Sequence, residues 1–174
     1  FSVHYLPKLA QLFPSQLDAV SVDAFFRAVN AVERSTIRVD ADEITYDLHI
    51  VVRFELELAL IEGDLRVRDL PDAWNAKMRE VLGIEPASCT DGCLQDIHWA
   101  WGAFGYFPTY TIGNAYAAQL VDAYERTRPN HAMDVERGDF RPLLAWLRTH
   151  IHERGHLASA EETVRAATGK SLEV

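Results

Sequence analysis

The sequence has little cysteine and no long apolar run, and both shortages exclude classes of protein. Only two cysteines, Cys89 and Cys93, occur among its 174 residues, so a fold that depends on several disulfides is excluded. A disulfide across the three residues between them would be unusual, and a structural zinc site would need two further ligands nearby. We therefore expect two free thiols. No apolar run approaches the ~20 residues of a membrane-spanning helix and no signal peptide is recognisable, so we expect no membrane partner.

Basic side chains are also in short supply. Lysine and arginine number 17 against 26 aspartates and glutamates, which gives a formal net charge of -9. Such a surface repels phosphate backbones unless a local basic stripe exists. The arginines between positions 34 and 68 are interleaved with carboxylates. We therefore expect no nucleic acid partner.

The sequence does contain helical patterning almost throughout. Its 48% of hydrophobic residues suffice for one compact core at this length, and residues 1–174 are predicted to form a single helical domain. Ser21 is placed to cap a helix, and Gly63 and Gly83 are suited to follow helix ends. The predicted fold class is all-α, with room for one or two short strands.

One stretch, Val52 to Leu60, alternates apolar and polar residues as a half-buried strand would. However, no helix-breaking residue occurs between Asp42 and Gly63, and that length is far beyond the ~5–6 residues of a typical strand. We therefore predict one long, largely buried helix from Asp42 to the glycine. His49 and Arg53 lie one turn apart on this helix, which favours packing or a salt link.

Two segments depart from ordinary helical patterning, and the first runs from Ile37 to His49. It surrounds one permanent cation, Arg38, with four carboxylates. One interpretation is a helix N-terminus at which Arg38 forms a surface salt bridge. The other is an arginine that carboxylates hold in place for a substrate anion, because a planar guanidinium binds a carboxylate through two hydrogen bonds.

The second segment, Gly92 to Tyr110, gathers Gln95, Asp96 and His98 with two tryptophans and two tyrosines. Glycines and a proline in its second half disfavour a regular helix there. Aromatic side chains on irregular backbone, beside a histidine and a carboxylate, favour a binding or catalytic site. The alternative is a core turn in which Asp96 caps a helix and His98 is hydrogen-bonded inside.

Two motifs in these segments resemble signature motifs of the thermostable (Taq-type) metallocarboxypeptidase family. They are Ile37-Arg38-x-x-Ala41-Asp42 and Gly92-x-x-Gln95-Asp96-x-His98-Trp99, and the likeness extends over almost the whole chain. The resemblance implies the C-terminal part of a mostly helical, gluzincin-like metallopeptidase fold with a deep groove. It also implies a cytoplasmic, homodimeric exopeptidase that removes C-terminal residues from peptides and uses zinc or cobalt.

The resemblance assigns roles to the polar residues of both motifs. Arg38 would grip the terminal carboxylate of the substrate. Gln95 would line the groove or orient the neighbouring histidine. Asp42 and Asp96 would support the groups that touch the substrate.

The same resemblance implies a stabiliser of the tetrahedral oxyanion, because gluzincins use a histidine and a tyrosine from such a downstream segment. His98 and Tyr110 are the candidates for these two hydrogen bonds. Tyr106 is an alternative for one of them, and the sequence alone does not choose between the tyrosines.

The His-Glu-x-x-His pattern of zinc peptidases occurs once, from His152 to His156. In such enzymes the two histidines share one face of an unbroken helix. Here Gly155 precedes the second histidine, and Ser159 with Glu162 forms a capping box that starts a new helix. We therefore predict a helix end at Gly155 and assign no metal ligand on this chain.

Family members carry their zinc motif upstream of the region that this chain resembles. The favoured hypothesis is thus the substrate-binding and transition-state-stabilising portion of a metallocarboxypeptidase, inactive alone and in need of the missing N-terminal portion. Peptides with a free C-terminal carboxylate are the expected substrates. Two alternatives stay open: a non-catalytic pseudoenzyme or dimerisation module, and a self-contained protease that uses the His152 motif.

Overall fold

The computed structural model describes residues 1–173 and shows a helical protein. The α-helices of this part of the chain are, in order, α1 Ser2–Leu12, α2 Pro14–Leu17, α3 Val22–Val29, α4 Tyr46–Glu62, α5 Leu70–Leu82, α6 Pro108–Thr127, α7 His131–Arg137, α8 Arg141–His150 and α9 Ala160–Thr168. No β-strand occurs within residues 1–173, so the all-α prediction is confirmed. None of the described helices is long and apolar enough to cross a membrane.

The chain folds as two compact units. The terminal unit contains Phe1–Asn30 and the described residues from Asn114 onward, and the central unit contains Ala31–Gly113. That residues 1–174 act as a single domain stays a prediction. The two segments singled out from the sequence, residues 37–49 and 92–110, both lie in the central unit, and the candidate site is described there.

In the terminal unit, α1 packs against α2, α3 and α7. At Gly138, which follows α7, a Cβ atom would lie 2.6 Å from the His4 imidazole. Gly138 also has a positive φ of 69°, so its backbone conformation favours glycine. Elsewhere in this unit the buried Gln119 donates to the backbone carbonyls of Lys170 and Ser171, which fixes the segment after α9.

The contact between α4 and α5 forms the core of the central unit. Its fully or nearly fully buried members are Val52 and Leu56 on α4 and Trp74, Met78 and Leu82 on α5. The three α5 residues are spaced four apart and therefore share one helix face. Because burial of a large apolar side chain is worth about 1.5–3 kcal/mol, this contact fixes the position of α4 and of the polar groups that α4 carries.

Local capping signals in the sequence predict several helix ends correctly. Ser21 caps α3 and accepts from the backbone N–H of Ala24 at 3.1 Å. Ser159 and Glu162 form a complete capping box at the start of α9. The helix predicted up to Gly63 does end there, with a φ of 85° at the glycine, because glycine adopts this left-handed conformation without steric cost.

The start of α4 differs from the prediction. The helix begins at Tyr46 and not at Asp42. The Asp42 carboxylate accepts from the backbone N–H groups of Ile44 and Thr45 at 2.8 and 2.9 Å. Such local side-chain bonds compete with helical hydrogen bonding, so a turn precedes the helix.

Candidate functional site

The Asp96 carboxylate binds two arginines of the central unit. Its Oδ1 accepts from Nη2 of Arg38 at 2.6 Å and from Nε at 3.2 Å, and its Oδ2 accepts from Nε of Arg53 at 2.7 Å. Arg53 is fully buried, and Arg38 is only 6% exposed. The interpretation that Arg38 forms a salt bridge at the surface is therefore wrong. Asp96 binds arginines and does not cap a helix.

Burial and charge pairing shift the pKa values of Arg38, Arg53 and Asp96 in opposite directions. Burial lowers the pKa of Arg53 to about 10 despite the neighbouring carboxylate. Burial also acts to lower the pKa of Arg38, but the hydrogen bonds and charge of Asp96 outweigh it, and that pKa is raised. Burial acts to raise the pKa of Asp96, yet the two guanidinium groups lower it overall. All three groups are charged at neutral pH, so the cluster carries a net positive charge.

Gln95 links the same two arginines through its side-chain amide. Its Oε1 accepts from the backbone N–H of Arg38 and from Nη2 of Arg53, both at 2.8 Å. Its Nε2 donates to the backbone carbonyls of Thr36 and Asp91 at 3.0 and 2.7 Å. In this structure Gln95 fixes the arginines. Its contact with a substrate stays a prediction.

His98 and Tyr110 form a hydrogen-bonded pair beside the arginines. Nε2 of His98 and Oη of Tyr110 are 2.9 Å apart, and Cζ of Arg38 lies 5.0 Å from the centre of the Tyr110 ring. The buried Phe107 packs against the imidazole with ring centres 4.4 Å apart. Nδ1 of His98 is buried without a hydrogen-bond partner in residues 1–173, and it lies 3.8 Å from Oδ1 of Asp96. The structure thus brings five of the predicted site residues together, namely Arg38, Gln95, Asp96, His98 and Tyr110.

Tyr106 lies at the edge of this cluster. Its ring centre is 5.5 Å from that of Tyr110 and 5.6 Å from that of His98, and the residue is 48% exposed. Within the described chain its hydroxyl has no hydrogen-bond partner, so it is held less firmly than the hydroxyl of Tyr110.

Asp42 makes its contacts elsewhere. Besides the turn before α4, its carboxylate accepts from the backbone N–H of Glu33 at 3.0 Å and from the Thr45 hydroxyl at 2.8 Å. No hydrogen bond joins it to Arg38 among residues 1–173. Any support that Asp42 gives the site therefore acts through the backbone entering α4.

Glu57, a buried carboxylate on α4, has no role in the sequence prediction. It is 5% exposed, its Oε2 accepts from Nε1 of Trp99 at 2.7 Å, and its Oε1 accepts from the backbone N–H of Gly105. These bonds attach the loop that follows His98 to the helix that carries Arg53. The sequence could have indicated this role, because a glutamate on the buried face of a helix requires a hydrogen-bond partner.

His49 is a fully buried imidazole one turn before Arg53 on α4. Burial lowers its pKa to about 4, and the positive charges of Arg53 and Arg38 act in the same direction. The imidazole is therefore neutral at pH 7, which avoids a third positive charge beside the arginines. The salt link considered for this pair is instead between Arg53 and Asp96, and Arg53 donates to the His49 backbone carbonyl at 2.8 Å.

We expect the free energy of unfolding to fall between about pH 6.5 and pH 4 because of His49. As the pH is lowered, the unfolded histidine takes up a proton first, so its contribution is complete above about pH 6.5 and is lost progressively down to about pH 4. The free energy of unfolding is expected to fall by about 3 kcal/mol across this range of pH. Urea unfolding at a series of pH values measures it, and His49→Gln should flatten this part of the profile. His152→Gln, at an exposed histidine, is the control, and an unchanged slope in His49→Gln would contradict the assignment.

The sequence matches one class of protein, the metallopeptidases: residues 1–174 match the family model described as carboxypeptidase Taq (M32) metallopeptidase. The chain belongs to this M32 carboxypeptidase family, and the resemblance seen in the two motifs is confirmed. It is 48% identical over 171 residues to thermostable carboxypeptidase 1 of Thermus thermophilus and 42% identical over 174 residues to carboxypeptidase 1 of Bacillus subtilis. The crystal structure of the M32 carboxypeptidase from Deinococcus radiodurans R1 superimposes with a TM-score of 0.91 at 43% identity.

The chain spans about a third of the length of these relatives. The matches cover 98% to 100% of this chain, but only 33% of the Thermus protein and 35% of the other two. About two thirds of each relative therefore have no counterpart in these 174 residues.

The family description implies a metal, and the described residues of this chain do not form a site for it. No group of three or more histidine, cysteine, aspartate or glutamate side chains in residues 1–173 is placed to hold a metal ion. In the His-Glu-x-x-His segment, α8 already ends at His150, His152 lies in a 3₁₀ turn, and Gly155 with a φ of 53° precedes His156. The unbroken helix of a zinc peptidase is absent there. The helix end predicted at Gly155 lies instead at His150.

Proposed function

We propose that this chain supplies the carboxylate-binding and oxyanion-stabilising part of a metal-dependent carboxypeptidase, which removes C-terminal residues from peptides. The observation that carries the proposal is the cluster in which Asp96 fixes Arg38 beside the His98–Tyr110 pair. Such an enzyme has to recognise a free terminal carboxylate and to stabilise the oxyanion that forms at the adjacent peptide bond. The cluster offers one group for each task, side by side.

Arg38 is suited to bind the terminal carboxylate because it is fixed without being saturated. A guanidinium has five N–H donors, and Asp96 and Tyr46 together engage three of them. The other two belong to Nη1 and Nη2, the nitrogens that bind a carboxylate through paired hydrogen bonds. Arg53, on the other oxygen of Asp96, adds a second positive charge that favours an anion.

His98 and Tyr110 are suited to stabilise the oxyanion. Their polar atoms lie 2.9 Å apart in a mutual hydrogen bond, so a single substrate oxygen that replaces this bond is within reach of both groups. Burial raises the pKa of Tyr110, although the charge of Arg38 acts against it. The hydroxyl therefore keeps its proton at neutral pH and stays a donor. The packing of Phe107 on His98 fixes the direction of the imidazole.

In this proposal the metal belongs to the part of the complete enzyme that this chain does not match, and we propose zinc or cobalt. The described residues alone lack a metal site, so the isolated chain is expected to be inactive. The family resemblance further supports a cytoplasmic homodimer that acts on peptides with a free C-terminal carboxylate.

A chimera makes the role of Arg38 testable: this chain replaces the matching third of carboxypeptidase 1 of Bacillus subtilis, with which it shares 42% identity. Arg38→Ala should lower kcat/KM for free-carboxylate peptides by about tenfold to a hundredfold, because a hydrogen bond to a charged group is worth about 1.5–3 kcal/mol. His152→Ala is the matched control. His152 is exposed, so its removal acts on stability by about 1 kcal/mol at most and should leave kcat/KM unchanged.

Peptides with an amidated C-terminus separate recognition from general damage. They should be poor substrates of the unmodified chimera, and Arg38→Ala should shrink the preference for the free carboxylate. Since Arg38 also binds Asp96, the unfolding of each variant is measured alongside. Equal activity of Arg38→Ala and the unmodified chimera on free-carboxylate peptides would remove Arg38 from recognition.

The outer surface of α4 favours a second candidate, an interaction module without catalysis. This surface carries large apolar side chains at helical spacing that are 37% to 65% exposed, namely Leu48, Val51, Phe54, Leu58 and Ile61. Contiguous apolar surface of this kind is typical of a contact with other protein. In an interaction module a partner chain would cover this surface, whereas in the complete enzyme the remaining part of the fold would cover it. In either case we expect the isolated chain to self-associate through it. If light scattering still detects a dimer of the Phe54→Asp variant, the outer surface of α4 is not the contact surface.

A further inference from the structure

Cys89 and Cys93 lie at the two ends of one tight turn in the central unit. The backbone N–H of Leu94 donates to the Cys89 carbonyl at 2.9 Å, and that of Gly92 donates to the same oxygen at 3.2 Å. These bonds fold the chain back on itself and bring the two cysteine positions together. A disulfide requires Cα atoms within about 7 Å of each other, and a turn closed in this way favours such a short separation.

The two thiols have different surroundings. Cys89 is exposed, whereas Cys93 is 9% exposed and packs in the core cluster with Trp74 and Met78. Burial raises the pKa of Cys93, and the charge of Cys89 and a hydrogen bond with it act in the same direction, as expected for neighbouring thiols. An exposed thiol next to a second one is the arrangement in which the first reacts and the second resolves the adduct.

A cavity of about 230 Å³ is lined by both cysteines. Pro71 and Pro86 give it apolar walls, and Asp72 and Asn75 give it polar ones. Space of this size beside the sulfurs suits a small-molecule substituent.

We propose that Cys89 and Cys93 form a dithiol that exchanges with small disulfides of the glutathione type and closes to an intramolecular disulfide. The Cys89 thiolate attacks one sulfur of the small disulfide, the S–S bond breaks, and one small thiolate leaves and takes up the proton that Cys89 has lost. The Cys93 thiolate then attacks Sγ of Cys89 in the mixed disulfide, and the second small thiol leaves in the same way. Two protein thiols lose two electrons in total, and one small disulfide is reduced to two thiols.

The disulfide would act on the arginine cluster through Gln95, which follows Cys93 by two residues. Gln95 donates to the Asp91 carbonyl inside the turn and accepts from the backbone N–H of Arg38. Cys93 packs in the same core cluster as Trp74, so the indole is placed to report a change at the Cys93 sulfur. The inference does not depend on the proposed peptidase function.

Glutathione disulfide is the probe, incubated with the folded 174-residue chain and followed by intact mass and by titration of free thiols. We expect the loss of both thiols, a mass lower by two hydrogen atoms, a change in tryptophan fluorescence and full reversal by dithiothreitol. Cys93→Ser should stop at one glutathione on Cys89. Cys89→Ser should react far more slowly, because its remaining thiol is buried.

The wild-type mass decides the matter even if a variant fails to fold. Retention of both thiols in excess glutathione disulfide, a stable glutathione adduct without ring closure, or disulfide-linked dimers would each overturn the proposal. So would equal rates of ring closure in the folded chain and in urea, since the turn would then contribute nothing.

Discussion

Asp96→Ala is expected to lower the free energy of unfolding of the central unit by about 3–5 kcal/mol. The change leaves the buried guanidinium groups of Arg38 and Arg53 without the carboxylate that binds both. Removal of one partner from a buried ion pair strands an uncompensated charge, which costs more than the intact pair contributes. Urea unfolding, combined with amide hydrogen exchange on α4 and α5, measures the loss where it occurs.

Asp69→Ala is the matched control for this variant. Asp69 also pairs with an arginine, Arg66, at 2.6 Å, but both side chains are well exposed, and such pairs contribute about 0–1 kcal/mol. The double variant Asp96→Ala/Arg53→Met should recover part of the loss, because apolar residues often replace buried ions without cost. Equal, small losses in Asp96→Ala and Asp69→Ala would show that the buried pairs do not stabilise this unit.

Tyr110→Phe in the chimera is expected to lower kcat by about a hundredfold to a thousandfold, the typical effect of the loss of one oxyanion donor. The substitution removes only the hydroxyl that lies 2.9 Å from Nε2 of His98, and the ring keeps its packing. Because the lost bond would form only in the transition state, kcat should fall while KM changes little. Steady-state kinetics on one free-carboxylate peptide provide both constants.

Tyr106→Phe tests the alternative donor under the same conditions. The Tyr106 hydroxyl has no partner in the described chain and the residue is half exposed, so we expect an activity close to that of the unmodified chimera. The reverse result, a large loss in Tyr106→Phe and none in Tyr110→Phe, would assign the donor to Tyr106. A loss that appears mainly in KM would place either hydroxyl in substrate binding.

The helical fold was predictable from the sequence because its signals are local. Ser21, Gly63 and the capping box at Ser159 act on backbone groups within a few residues of themselves. The predicted start of α4 was wrong because the local signal there is compatible with two structures. Asp42 was placed at the start of a helix, but its carboxylate binds nearby N–H groups in a turn, and both arrangements suit an aspartate.

The arrangement of the site was predictable only in part. The sequence placed Arg38, His98 and Tyr110 in two segments, and the family resemblance gave them roles that stay predictions. It did not show that Asp96 joins Arg38 to Arg53, which lies 43 positions before the carboxylate. No spacing rule connects residues so far apart, because their contact depends on how α4 and α5 pack.

The bonds of Glu57 set a limit on the length of the segment between Trp99 and Gly105. One carboxylate on α4 holds the indole at the first end and the backbone N–H at the other, so the segment is in effect a ring closed by a single side chain. A residue inserted into this ring or deleted from it would pull one end away from its oxygen, whatever the residue's type. The length of this segment is therefore constrained independently of the side chains that it carries.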